Sequence, residues 1–164
     1  MTFKTPDLCD QFEDRLGNSL FVLAPLFNTY GGRQTFSGQI TTLKLFEDNT
    51  WVRTALAENG KGKVLVIDGG GSLRCALVGD QLGLLAQKNG WEGILVYGCI
   101  RDSADMAGLD IGLRALNTHP QKSIKRNVGE QDIPVTFGGV TFRPGHWLYA
   151  DTDGVLISEG ALIS

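Results

Sequence analysis

Two acidic residues and an arginine have the types and the spacing of a small catalytic site. Asp80 is separated by twenty residues from the adjacent pair Arg101 and Asp102. A carboxylate can hold a divalent cation, because hard cations prefer oxygen ligands. A guanidinium presents a planar fork of donors that suits a carboxylate or a developing oxyanion. Together these residues are suited to a divalent cation and an anionic substrate.

The segment between these residues predicts that they meet. Residues 81–90 carry apolar side chains at helical spacing and end at a glycine, which is typical of a helix. Gly93–Gly98 is a short apolar run bounded by glycines, which indicates a buried strand. Ten helical residues advance roughly 15 Å, and five strand residues return about 16 Å. We therefore expect Asp80 and the Arg101–Asp102 pair on one rim.

Each half of this site has a plainer interpretation. The backbone N–H groups of Gly79, Asp80, Gln81 and Leu82 open the predicted helix and can hold a carboxylate or a keto oxygen. Alternatively, Asp80 only complements the helix dipole.

The segment from Arg101 to Asp105 also has a functional and a structural interpretation. Asp102 and Asp105 share a face if their turn is helical, as paired ligands of a cation would. The alternative is a solvated loop in which Asp105 is a helix cap.

Other motifs are given structural roles. Gly69–Gly71 follows a predicted strand, but position 74, where a dinucleotide fingerprint needs glycine, is Arg74, and no phosphate-binding P-loop is present. We interpret the glycines as a tight turn; the alternative is that the turn also lines the pocket beside Arg74. His119 and His146 have no partner at metal-ligand spacing, so surface or structural roles are favoured.

Length and composition indicate one globular domain, residues 1–164. The chain is 42% hydrophobic and 20% charged, with a net charge of -3. The longest basic cluster is Lys122–Arg126, which gives no electrostatic case for nucleic acid. No apolar run is long enough to span a membrane and no secretory leader is evident, so a cytoplasmic location is expected. Three widely spaced cysteines are expected to be reduced: Cys9, Cys75 and Cys99.

The rest of the chain predicts an α/β sandwich with a mixed sheet, because strands alternate with helices first and hairpins follow. Thr5 and Pro6 indicate the start of a helix that ends at Gly17. A second helix is predicted from residue 48 or 49 to residue 58, and a helical turn at residues 103–107. Strands are predicted at residues 20–27, 37–45, 63–68, 109–117, 135–137, 140–142, 147–149 and 155–157, with a loop at residues 124–132.

The combined motifs resemble a known family. They are Asp80 with Arg101-Asp102-x-x-Asp105, Val66–Gly71, Trp91–Gly98, Phe137–Phe142 and Tyr149–Gly154. The pattern is similar to the RraA-like proteins, named for the regulator of ribonuclease E activity, and to the class II aldolases that cleave 4-hydroxy-4-methyl-2-oxoglutarate to pyruvate. The resemblance covers nearly the whole chain and implies an αββα sandwich of the swivelling β/β/α type with mixed sheets, assembled as a homotrimer.

The resemblance also implies roles for the residues. Asp102 would bind Mg²⁺ or Mn²⁺, with Asp105 a further candidate acting through a water. Gly79, Asp80, Gln81 and Leu82 would hold a small 2-oxo acid substrate at the helix N-terminus. Arg101 would bind the keto oxygen and stabilise the enolate, and Asp80 would position the water that protonates it. Oxaloacetate decarboxylation passes through the same enolate and is expected at the same site.

Two further expectations follow from the resemblance. Ribonuclease regulators generally lack the acid after Arg101, so Asp102 favours the enzyme over the alternative, a non-catalytic protein-binding regulator of ribonuclease E. Longer aldolases send a Glu from a C-terminal extension into a neighbouring subunit's site. This chain ends at Ser164, and Glu159 is the weak candidate replacement.

Overall fold

Short helices and many strands alternate along residues 2–164, the part of the chain that the computed structural model describes. The α-helices are α1 (Thr5–Gln11), α2 (Thr50–Leu56), α3 (Asp80–Lys88) and α4 (Ser103–Met106). The strands are β1 (Leu20–Val22), β2 (Asn28–Thr29), β3 (Phe36–Lys44), β4 (Lys63–Asp68), β5 (Ala76–Val78), β6 (Gly93–Ile100), β7 (Gly112–Thr118), β8 (Glu130–Gln131), β9 (Val135–Phe137), β10 (Val140–Phe142), β11 (Trp147–Asp151) and β12 (Gly154–Ser158).

Ten strands form one mixed sheet, and β9 and β10 form a separate hairpin. The main path is β1-β12-β11-β3-β4-β6-β7-β2. The centre, β3-β4-β6-β7, is parallel, and the strands that flank it are antiparallel. β5 joins β6 only at Cys99 and Ile100, beyond the last β4 pair at Tyr97. The mixed α/β fold predicted from the sequence is confirmed.

The sheet separates two main clusters of buried side chains. On one face, α2, α3 and α4 pack Val52, Leu82 and Met106 against the parallel strands. On the other face, Val64 and Leu95 from the central strands share a cluster with β11, β12 and the β9–β10 hairpin. Strands from both halves of the sheet line this second cluster, so the sheet curls into two β-layers.

Two glycines make room for one aromatic ring in the curled sheet. A Cβ atom at Gly93 or at Gly112 would overlap the Phe36 ring, so the ring lies directly over both backbones. Gly112 weakened the predicted strand at residues 109–117, yet it begins β7. The close approach explains a glycine at this position.

The N-terminal third differs in detail from the prediction. Thr5 does not cap α1, since its N–H and hydroxyl both donate to the Asp151 carboxylate. The helix ends at Gln11 and a 3₁₀ turn, Glu13–Arg15, follows it. The predicted strand at residues 20–27 is limited to Leu20–Val22, at one end of the sheet path. Proline cannot donate to a strand ladder, and Pro25 lies in the part that turns away.

Three short strands were not predicted. β5 has three residues, and β2 and β8 have two each, too few for a periodic pattern to stand out. β8 falls inside the predicted loop at residues 124–132 and pairs with Leu43 and Lys44 of β3. Within residues 2–164, no helix is both long and apolar enough to cross a membrane.

Candidate functional site

The predicted helix and strand bring Asp80 and Asp102 into contact. The Asp80 backbone N–H donates to Oδ2 of Asp102 at 3.0 Å. α3 begins at Asp80, and β6 ends at Ile100, one residue before Arg101. The contact was predicted, but the element lengths do not cancel, since nine residues of α3 span roughly 14 Å and eight residues of β6 span about 26 Å.

The short strand β5, which was not predicted, holds the start of α3 level with the end of β6. β5 runs parallel to β6, and the Arg101 N–H donates to the Val78 carbonyl at 2.9 Å. Gly79 then leads from β5 into α3 while Asp102 leads from β6 into α4. The site therefore lies where two parallel strands end and two helices begin.

Asp102 has an unusual backbone conformation. Its φ of 57° and ψ of 40° place it in the left-handed region, which is costly for a residue with a side chain. Its carbonyl accepts from the Met106 N–H at 3.0 Å, the first hydrogen bond of α4. The left-handed turn starts α4 and leaves the carboxylate beside the N-terminus of α3.

Gly79 lets the carboxylate come this close. A Cβ atom at Gly79 would lie 2.9 Å from Oδ2 of Asp102 and 3.4 Å from Cγ and Nε of Arg101. Real Cβ contacts are almost never under 3.0 Å, so a side chain here would displace the carboxylate. Close approach is thus a reason for glycine at this position that the sequence did not indicate.

The N-terminus of α3 is partly occupied by the protein itself. In the first turn, the N–H groups of Asp80, Gln81 and Leu82 have no acceptor within the helix. Asp102 takes the Asp80 N–H, and the first helical bond runs from Gly83 to Gly79. The N–H groups of Gln81 and Leu82 therefore remain available to an anionic ligand.

Arg101 is half-buried and rests on the turn after β7. Its Nη1 lies 3.5 Å from the Pro120 carbonyl, and the His119 N–H donates to the Ile100 carbonyl at 2.9 Å. Within residues 2–164, the Arg101 guanidinium has no ion-pair partner, as the three ion pairs found there involve other residues. Its charge is available to an anionic ligand.

The carboxylates suit a cation held mainly by water and substrate. Asp102 and Asp105 are exposed, at the N-cap and in the first turn of α4. In the described part of the chain, no three His, Cys, Asp or Glu residues group closely enough to hold a metal ion. Mg²⁺ commonly uses one or two carboxylates plus waters and substrate oxygens. Oδ1 of Asp102 has no hydrogen-bond donor among residues 2–164, so a cation bound in this way fits the residues present.

A charged pair formed by the loops before α2 and before β5 was not predicted from the sequence. The Arg74 guanidinium donates to the Glu47 carboxylate, with 2.7 Å from Nε to Oε2, and Ser72 donates to the same oxygen. The hydrogen bonds from Arg74 and then Ser72 lower the pKa of the Glu47 carboxyl to about 2. Glu47 and Arg74 lie on different loops, so no local pattern could pair them.

The other titratable candidates lie elsewhere. His146 and Glu159 line a cavity of about 300 Å³ with Arg143. Strand pairing places Ser158, next to Glu159, level with Trp147, Gln39 and Lys63, at the start of β4. Asp102 follows the end of β6, so Glu159 does not reach the site of its own chain.

Comparison with known proteins assigns a family to the whole chain. The family model of RraA-like proteins, described as Aldolase/RraA, matches residues 5–157. A relative from Dechloromonas aromatica is 70% identical over 99% of both chains, and one from Aromatoleum aromaticum is 60% identical over 99% of this chain and all of its own. Both bear the name "Putative 4-hydroxy-4-methyl-2-oxoglutarate aldolase".

Solved structures support the same grouping under different names. A Geobacillus kaustophilus protein, named S-adenosylmethionine: 2-dimethylmenaquinone methyltransferase, is 47% identical, with a TM-score of 0.93 over 98% of this chain and 97% of its own. The RNA-processing inhibitor RraA from Thermus thermophilis is 43% identical, with a TM-score of 0.91 over 97% and 94%. The chain belongs to the RraA-like family.

Proposed function

We propose that this protein is a divalent-cation-dependent carbon–carbon lyase that cleaves 4-hydroxy-4-methyl-2-oxoglutarate to pyruvate. The observation that carries the proposal is the contact between the Asp80 N–H and the Asp102 carboxylate, beside the Arg101 guanidinium, which makes no ion pair among residues 2–164. The names of the close relatives support the same reaction. Asp102 is the residue proposed to hold the cation.

The reaction needs positive charge where an enolate forms. A bound Mg²⁺ or Mn²⁺ would supply Lewis-acid polarisation of the 2-oxo group. Arg101 would donate to the keto oxygen and stabilise the negative charge that develops on it as the C3–C4 bond breaks. The N–H groups of Gln81 and Leu82 would hold the substrate carboxylate at the N-terminus of α3.

Asp80 is proposed to position the water that returns a proton to the enolate. Its backbone N–H is engaged by Asp102, while its half-buried side chain lies at the opening of α3. A carboxylate can accept a hydrogen bond from a water and orient it towards the enolate carbon. Protonation there completes one pyruvate, and the C4 hydroxyl gives up its proton to solvent as it becomes the keto group of the second pyruvate, so the protons balance.

Oxaloacetate decarboxylation is proposed as a second activity of the same site. Loss of CO₂ from oxaloacetate leaves the same pyruvate enolate as the retro-aldol cleavage. Arg101 and the N-terminus of α3 would therefore stabilise the same enolate and hold the same carboxylate in both reactions. The reaction does not need a partner for the far end of a longer substrate.

Pyruvate release, coupled to NADH oxidation by lactate dehydrogenase, tests the proposal with both substrates. We expect turnover that EDTA abolishes, that Mg²⁺ or Mn²⁺ restores, and that Asp102→Ala lacks. Turnover that persists in EDTA or in Asp102→Ala would overturn the role of the cation. If neither substrate yields pyruvate at saturating cation concentration, the lyase function itself is overturned.

The second candidate is a non-catalytic protein-binding regulator of ribonuclease E. It is favoured by the likeness to the RNA-processing inhibitor RraA from Thermus thermophilis. Such a protein would slow RNA cleavage by purified ribonuclease E in proportion to complex formation. Inhibition that Asp102→Ala retains, from a protein without lyase activity, would favour this candidate.

The proposed partners and location follow from the family. We propose a homotrimer in the cytoplasm that takes a small 2-oxo acid and binds neither nucleic acid nor membrane. Sedimentation equilibrium at micromolar protein should give the mass of three chains. A monomer mass under these conditions would contradict the assembly.

A further inference from the structure

A small cavity with cationic walls is lined by the segment that follows Pro120, whose carbonyl contacts Arg101. It has a volume of about 230 Å³, and its lining includes Glu47, Arg74, Gln121, Lys122 and Arg126. This volume is below the roughly 300–1,000 Å³ of sites that enclose a whole small molecule. The cavity has room for one end of a substrate.

The charges of the cavity favour an anion. Three cationic side chains face one carboxylate, a net charge of plus two in a chain whose net charge is -3. That carboxylate, Glu47, is already engaged by Arg74 and Ser72. Within residues 2–164, the Lys122 and Arg126 side chains make no ion pair. Their charges are left for a ligand.

The backbone connects the cavity to Arg101. Pro120, whose carbonyl lies 3.5 Å from Nη1 of Arg101, is followed directly by Gln121 and Lys122 of the cavity wall. Two extended residues span roughly 7 Å, so the Lys122 backbone lies on the order of 10 Å from the Arg101 guanidinium, a gap that a five-carbon substrate and an extended lysine side chain together can bridge. The Ala76 N–H donates to the Gln121 carbonyl at 2.8 Å and holds the segment against β5.

Buried hydrogen bonds hold the cationic loop in place. Oδ2 of the buried Asp48 accepts from the Arg126 N–H at 2.7 Å and from the Val128 N–H at 3.1 Å. Asn49 and Ser123 exchange two hydrogen bonds, of 3.1 and 2.9 Å. A loop fixed in this way can present its charges without a large entropic cost on binding.

We propose that Lys122 and Arg126 form a subsite for the distal carboxylate of a dicarboxylic 2-oxo acid. The inference rests on the proposed lyase function, with the pyruvyl end at Asp102 and α3 and the far end beyond Arg101. The subsite makes the enzyme selective for substrates with two carboxylates. Lys122 and Arg126 are specificity residues here, each contributing a charge-assisted contact.

A pair of substrates that differ only at the far end tests the subsite. 4-Hydroxy-4-methyl-2-oxoglutarate carries the distal carboxylate, and 4-hydroxy-4-methyl-2-oxopentanoate has a methyl group in its place. The readout is the ratio of kcat/KM for the first substrate to kcat/KM for the second. We expect Lys122→Ala and Arg126→Ala each to lower this ratio about tenfold, the order expected for one lost charge-assisted hydrogen bond.

Two further variants separate charge from structure. Lys122→Arg keeps the cation and should retain most of the ratio. Lys88→Ala removes an exposed cation from the last turn of α3 and should leave the ratio unchanged. Ratios within twofold of wild type in both alanine variants, or an equal loss on both substrates, would overturn the subsite. Wild-type protein inactive on both substrates would instead overturn the lyase function and the subsite with it.

Discussion

At the scale of single residues, the Asp102 carboxylate has two roles, one for each of its oxygens. Oδ2 of Asp102 accepts from the Asp80 N–H, and a left-handed backbone turns the side chain towards α3. Oδ1 is the oxygen proposed to bind a cation. The same residue thus caps one helix, begins another and carries the proposed ligand, so its variants must be chosen to separate these roles.

Asp102→Asn separates the cap from the cation ligand. The amide oxygen can still accept from the Asp80 N–H, but the negative charge is lost. We expect kcat/KM to fall on the order of 100-fold or more, because the cation loses its anionic protein ligand. Pyruvate release measured against Mg²⁺ and Mn²⁺ concentration checks this. If Asp102→Asn reached half-maximal activity at the same cation concentration as the wild type, the role of Asp102 as cation ligand would be contradicted.

Gly79→Ala tests the close approach of the carboxylate. The added Cβ would lie 2.9 Å from Oδ2 of Asp102, while the Gly79 φ of -120° is one that alanine adopts without strain. We expect at least about a tenfold rise in the cation concentration for half-maximal activity, with unfolding free energy changed by less than about 1 kcal/mol. Gly154→Ala is the matched control, because a Cβ there meets nothing within 4 Å. Equal cation affinity in both variants would contradict the steric role.

At the scale of elements, the start of α2 organises a distant loop. Asp48 is 3% exposed and accepts from the Thr50 N–H and hydroxyl as well as from two N–H groups of the 126–128 segment. Burial raises the pKa of the Asp48 carboxyl, but the hydrogen bonds from Thr50, Val128 and Arg126 outweigh it and lower the pKa to about 2. One carboxylate therefore links α2 to the cationic loop beside the site.

Asp48→Asn should destabilise the fold in a pH-dependent way. An amide can accept at only one of the two oxygen positions, so we expect a loss of roughly 2–4 kcal/mol of unfolding free energy at pH 7. Because the folded pKa lies below the unfolded value, the carboxylate's contribution is present above about pH 4 and is lost as pH falls towards 2.

Urea unfolding of the wild type and the variant at pH 7 and at pH 2.5 measures this difference. The gap between the two proteins should narrow at the lower pH. Asp10→Asn, at an exposed carboxylate, is the control and should show little effect at either pH. A gap that stays constant between the two pH values would contradict the assignment.

At the scale of the whole molecule, a buried arginine links two separated parts of the curled sheet. Arg114 of β7 is 3% exposed and donates through Nη2 to the carbonyls of Gln34 and Asp151, at 2.8 and 3.0 Å. Its guanidinium lies 5.2 Å from the centre of the Phe36 ring. Burial lowers the pKa of Arg114, opposed by the nearby Asp151 carboxylate. This side chain ties β7 to the segments at β3 and β11.

Arg114→Ala should weaken the fold without touching the candidate site. The change leaves two carbonyls without their donor and a void beside Phe36, so we expect a loss of about 3–5 kcal/mol of unfolding free energy. Guanidinium unfolding and the Tm measure the effect. Arg143→Ala, at an exposed arginine, is the control. A loss below about 1 kcal/mol in Arg114→Ala would show that the sheet closes without this residue.

The sequence by itself predicted that Asp80 meets the Arg101–Asp102 pair, since a helix followed by a strand turns the chain back on itself. It also determined the mixed α/β class, because periodicity and turn residues are local properties. Tertiary structure alone decided what surrounds those three residues.

The placement of β5, the Glu47–Arg74 pair, the loop at Lys122–Arg126 and the bridge at Arg114 were all decided in this way. Each joins residues far apart in the chain. Such contacts arise from packing and the satisfaction of buried polar groups, for which a linear pattern carries no signal.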